Sequence, residues 1–153
     1  MKQINIYVTV SAKTDDKTGL FGYVMEYTKK DKSVGTVHGI GKDAEASKNR
    51  LYILALKEAL ERMHEPCEIV IISDNAMMRG TLGIDFAPGW IDNWILNNFT
   101  NYSGKKVLNA DLWESIHNLM QEGAHTITAA SDETVNPYNE WLMHEMKQMV
   151  ETP

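Results

Sequence analysis

Residues 68–75 read Glu68-Ile69-Val70-Ile71-Ile72-Ser73-Asp74-Asn75. A continuous apolar run of this kind fits a strand buried on both faces, as in a mixed or parallel sheet. It is far too short to span a bilayer. It closes on a carboxylate, Asp74, and open α/β sheets place ligand sites at the carboxyl ends of their strands. The plainer role for Asp74 is a strand-end residue capping the helix that follows through Asn75.

Upstream of this strand, residues 44–63 carry Leu51, Leu54, Ala55, Ala59 and Met63 on one helical face. Lys57, Glu58, Glu61 and Arg62 lie on the other. That spacing predicts an amphipathic helix, capped by Ser47 or Asp43 and ended by Pro66. Further upstream come two strands, Ile4 to Val10 and Leu20 to Tyr27, and a weaker third from Val34 to Ile40. Downstream, a short helix is expected over residues 75–81. Pro88 opens the next, with Trp90, Ile91, Trp94 and Ile95 at helical spacing. Asn109 starts another, with Leu112, Trp113, Ile116, Leu119 and Met120 as its stripe, and Gly123 stops it. His125 to Ala130 forms a fifth strand, and Pro137 opens a last helix to about Val150. Met143, Met146, Met149 and Val150 are expected along one face of that helix. The order predicts an α/β domain spanning residues 1–153, with a five-stranded mixed sheet and helices on both faces.

Composition agrees with a globular fold. The 153 residues are 43% hydrophobic and 24% charged, which excludes a disordered or collagen-like chain. The start, MKQINIYVTV, has no apolar core followed by a small-residue cleavage site. One cysteine, Cys67, excludes a disulfide framework and a cysteine-rich zinc module. A cytoplasmic protein with no membrane attachment is expected. Lysine and arginine total 15 against 21 acids, a net charge of −6. Such a field repels polyanions and excludes strong nonspecific phosphate binding.

Several local words stand in a telling order. I-N-I-Y-V-T precedes G-L-F-G-Y-V-M-E-Y. S-K-N-R-L-Y-I-L-A-L-K-E-A-L precedes E-I-V-I-I-S-D-N. W-I-D-N-W precedes N-A-D-L-W, and N-P-Y-N-E-W-L-M opens the last helix. In this order they resemble the ribonuclease H family of the HI type, over nearly the whole chain. The resemblance implies an RNase H-like fold and endonuclease chemistry on the RNA strand of RNA–DNA hybrids. Such chemistry uses clustered carboxylates that hold two Mg²⁺ ions about 4 Å apart.

In the family those carboxylates come from the first strand, the first helix, the end of the fourth strand and the last helix. Carried over, they fall on Thr9, Tyr52, Asp74 and Met143. Asp74 alone survives as a catalytic and metal-ligating candidate, and one carboxylate holds Mg²⁺ poorly. Glu140, Glu45, Asp15 and Asp16 are the acids that could rebuild a site. The loop Ser131 to Asn136 carries no histidine where the family places one. The resemblance also implies nucleic-acid contacts by Ser47, Asn49, Arg50, Trp90, Trp94, Lys105 and Lys106. Of the two tryptophans, one is expected in the core and one partly exposed.

The expected function is a ribonuclease HI-like, hybrid-related nucleic-acid-binding domain that is not catalytic and needs no cofactor. One alternative is an active Mg²⁺- or Mn²⁺-dependent RNase H with a rearranged site. Another is a protein-interaction or dimerisation module without a nucleic-acid role. The corresponding partners are an RNA–DNA hybrid or other nucleic acid, weakly bound, and a protein partner or a second copy.

Overall fold

The computed structural model describes residues 2–11, 18–44, 47–131 and 133–151. Strand β1 (Lys2–Ser11) lies at the centre of the sheet, with β2 (Thr18–Thr28) and β3 (Val34–Ala44) to one side. On the other side lie β4 (Cys67–Ile72) and β5 (Thr126–Ala129), giving the order β3-β2-β1-β4-β5. Pairing is antiparallel from β1 through β2 to β3, and parallel from β1 through β4 to β5. Ile4 sits opposite Tyr27 on one flank and Ile69 on the other. The apolar run 69–72 is therefore flanked on both edges, as its lack of alternation implies.

Alternation along β1 sorts the two faces. Ile4, Ile6 and Val8 enter the main core, where Leu51, Leu56 and Ala59 of α1 (Lys48–Glu61) meet Trp113 and Ile116 of α4 (Ala110–Gly123). Tyr7 points the other way, to Ile72 and Ala130. On that second face α5 (Asn139–Glu151) packs Leu142 and Met146 against Leu20 and Val24. Helices thus cover both faces of the expected five-stranded mixed sheet. Two short helices, α2 (Ala76–Leu82) and α3 (Trp90–Leu96), bridge β4 to α4. No helix among the described residues is long and apolar enough to cross a membrane.

Several boundaries differ from expectation; α3, for one, starts at Trp90 rather than at Pro88. The third strand runs on to Ala44, where the helix was expected to begin, and α1 starts only at Lys48. Ser47 is its cap, accepting from the Arg50 amide at 3.1 Å. The strand looks weak in sequence because its filling comes from its neighbour. Gly35, Gly39 and Gly41 lie opposite Tyr27, Tyr23 and Phe21 of β2. The three rings cover the glycines so closely that a Cβ at any of them would strike its partner ring. The last helix starts at Asn139 rather than at Pro137. Its methionines are not buried alike: Met146 is buried, whereas Met143 and Met149 are exposed.

Candidate functional site

A cavity of about 460 Å³ opens at the carboxyl ends of β1 and β4, with the first turns of α1 and α5 as its other walls. All four positions carried over from the family resemblance, Thr9, Tyr52, Asp74 and Met143, line it. Tyr52, only 2% exposed, donates its hydroxyl to Asp74 Oδ1 at 2.6 Å. Burial, reinforced by that carboxylate, holds the Tyr52 phenol far above its ordinary pKa, so it stays a donor. Asp74 does not cap α2. Asn75 does, accepting from the Met78 amide at 3.0 Å.

Thr9 is 4% exposed and donates to Asn139 Oδ1 at 2.8 Å. It accepts from Asn136 Nδ2 at 3.2 Å. A neutral chain of amide, hydroxyl and amide therefore occupies the β1 side of the cavity. Its position is set by a latch behind it. Tyr138 donates to Glu26 Oε2 at 2.5 Å, and Tyr7 donates to Glu26 Oε1 at 3.4 Å. The Tyr7 and Tyr138 rings meet edge to face at 5.1 Å. Hydrogen bonding to Glu26, with burial, pushes the Tyr138 pKa up to about 12. The latch ties the residue before α5 to the central sheet and so aims Asn139 at Thr9.

Among the described residues lining the cavity, Asp74 is the only carboxylate. Glu140 is exposed on α5 and does not line it. Asp15, Asp16 and Glu45 lie outside the described residues. Met143 lines the cavity while 40% exposed.

The residues expected to grip nucleic acid are mostly engaged within the chain. Ser47 is spent on the α1 cap. Asn49 accepts from Asn75 Nδ2 at 2.9 Å. Arg50 makes a two-pronged pair with Asp111, at 2.7 and 3.1 Å, and donates to Asn109 Oδ1 at 3.0 Å. Its guanidinium holds the Asp111 carboxyl below the usual range. Lys106 pairs with Glu114 at 2.7 Å and donates to the Asn98 carbonyl at 3.0 Å. Trp94 leans toward buried Trp113, ring centroids 6.2 Å apart, while Trp90 is 53% exposed across Gly80. Lys105 is exposed in the loop after α3. None of these seven residues lines the cavity.

The sequence model of the family described as RNase H matches residues 1–137. The chain belongs to the RNase H family. It is similar to the ribonuclease H of Actinobacillus succinogenes, 32% identical over 126 residues that make up 82% of this chain and 74% of that one. It is 31% identical over 143 residues to the ribonuclease H of Chlorobium limicola, covering 90% of this chain and 88% of the relative. Among solved structures, LC9-RNase H1, a type 1 RNase H with the type 2 active-site motif, superposes with a TM-score of 0.68 at 16% identity. That match covers 94% of this chain and 70% of LC9-RNase H1. A foamy viral protease-reverse transcriptase in complex with RNA/DNA hybrid gives 0.59 at 13% identity, covering 88% of this chain and 18% of that one. These likenesses agree with the sheet order and the helices on both faces.

Within this RNase H fold, sequence reasoning passed over Lys48, Asn136 and Asn139, which all line the cavity. Lys48 stands four residues before Tyr52 on α1, which places the two on one helix face. That spacing was a usable signal. The two asparagines sit in and just after a loop, where polar amides have no periodicity to mark them.

Proposed function

We propose that this chain is a member of the RNase H family that binds RNA–DNA hybrids weakly and does not cut them. The observation that carries this reading is the Tyr52–Asp74 hydrogen bond, at 2.6 Å, inside the cavity. Paired Mg²⁺ requires several charged, hard oxygen ligands in near-octahedral order. Among the described residues the cavity presents one carboxylate, and one of its oxygens already accepts from a phenol. Thr9 and Asn139 are neutral and bonded to each other, and a Met143 thioether is a soft ligand that Mg²⁺ does not choose. Among the described residues, no group of three or more His, Cys, Asp or Glu could hold a metal ion. The described residues do not fit the ions that cleavage by this family requires.

Hybrid binding is supported by the fold, and by the similar foamy viral protein whose structure contains an RNA/DNA hybrid. Weakness is supported by the net charge of −6 and by the internal pairing of Arg50 and Lys106. Phosphate contacts dominate such affinity, and log K falls steeply with log salt. Fluorescence anisotropy with an end-labelled RNA–DNA hybrid at low salt is the test. The reading expects saturable binding that fades as salt rises. No binding at low salt would leave only a protein-interaction role.

A further inference from the structure

The mismatch between this cavity and metal ions carries a second consequence, which rests on the hybrid-binding reading above. A pocket walled by several carboxylates admits a phosphate only with cations between them, because like charges at close range repel strongly. This cavity is different. Its described lining holds one carboxylate, Asp74, and one cation, Lys48. Asp74 is hydrogen-bonded by Tyr52. Lys48 is exposed and forms no ion pair among the described residues, whereas Arg50 and Lys106 both do. Across the cavity, Asn139 accepts from Thr9 through its amide oxygen, so the Nδ2 donor of the same amide is not used in that bond. An ammonium and an amide donor at the mouth of a polar cavity suit a single phosphodiester oxygen pair. At about 460 Å³ the space is of ligand-pocket size.

We propose that the cavity seats one backbone phosphate of a nucleic-acid strand directly on Lys48, with Asn139 as a second donor, and that no divalent ion takes part. Lys48 here is a binding residue, and its role is electrostatic. Removing its charge removes about one phosphate contact from the salt slope and lowers affinity at every sequence alike.

The test is hybrid anisotropy across salt, in EDTA and in Mg²⁺ at matched ionic strength, for the wild type, Lys48→Gln and Lys48→Arg. Because Lys48 is exposed, both variants should melt like the wild type, which circular dichroism checks. The expected result is equal wild-type affinity in EDTA and Mg²⁺. Lys48→Gln should bind several-fold more weakly, with the magnitude of the salt slope reduced by about 1, and Lys48→Arg should keep the slope. Wild-type binding that Lys48→Gln leaves unchanged in affinity and slope would overturn this proposal while the hybrid-binding reading stood. Binding that required Mg²⁺ would overturn it as well. No wild-type binding at all would remove both. Inorganic phosphate added alone should produce no Lys48-dependent change in amide spectra, and such a change would overturn the assignment to a strand.

Discussion

Tyr52 places a phenol where the resemblance to the RNase H family leads one to look for a carboxylate, and its hydroxyl is bonded to the one acid that remains. A hydrogen bond to a carboxylate near the surface is worth about 1 kcal/mol after solvent takes its share. Tyr52→Phe should therefore lower the urea-derived stability by about that amount and leave the fold intact. A converse substitution probes the donor set. Thr9→Asp with Tyr52→Glu adds two acids to the wall that holds Asp74. Mn²⁺ should then raise the melting temperature of the double variant and leave the wild type unmoved, since binding to the folded state stabilises it. His125 gives a separate expectation in pH. It is buried and its Nδ1 accepts from the Cys67 amide at 3.1 Å, a bond the protonated ring cannot make. Burial lowers its pKa below the ordinary 6.5. The unfolded chain takes the proton more readily, so stability is full above about pH 6.5 and falls as pH drops toward the lowered value. Urea melts at descending pH should show this fall, flattened in His125→Gln, which keeps an acceptor for Cys67; equal slopes in both proteins would contradict it. At this scale Thr9, Tyr52, Asp74 and Met143 were legible because each follows a recognisable word in the chain. Lys48 was marked only by its spacing from Tyr52, and Asn139 not at all, since only the fold shows that the starts of α1 and α5 face one cavity.

Strand β3 shows why an element can be hidden in sequence. Its glycines carry no apolar signal, and the rings that cover them, Tyr27, Tyr23 and Phe21, belong to β2. Pairing between strands supplies what periodicity along one strand cannot report. Gly39→Ala would force a methyl into the fully buried ring of Tyr23, whose hydroxyl also accepts from Arg62 at 3.2 Å. Overpacking of this kind costs about 1–3 kcal/mol, and a chemical melt should register it. Ser47→Ala, by contrast, removes only a helix cap and should cost about 1 kcal/mol. Strand β4 was easier to read. Ile69 to Ile72 is apolar without alternation because β1 and β5 flank it and helices lie on both faces of the sheet. Helix α5 was legible as a helix, but not in which methionines it buries. Leu142 and Met146 share a stripe at i, i+4 that turns Met143 aside, whereas Met149 continues the stripe one turn on and is nonetheless exposed.

At the scale of the whole molecule, charge and fold pull in different directions. The fold is that of RNase H, while 21 acids against 15 basic residues leave the chain at −6. The structure adds that two of the expected basic handles are already paired, Arg50 with Asp111 and Lys106 with Glu114. The cavity keeps one acid among its described lining. Absence of cleavage is the central expectation for this chain. Its most direct test is to incubate an RNA–DNA hybrid, labelled on the RNA strand, with excess protein and Mn²⁺ at low salt, beside Asp74→Ala. The RNA should stay full length in both. Clean cutting by the wild type that disappears in Asp74→Ala would contradict the account.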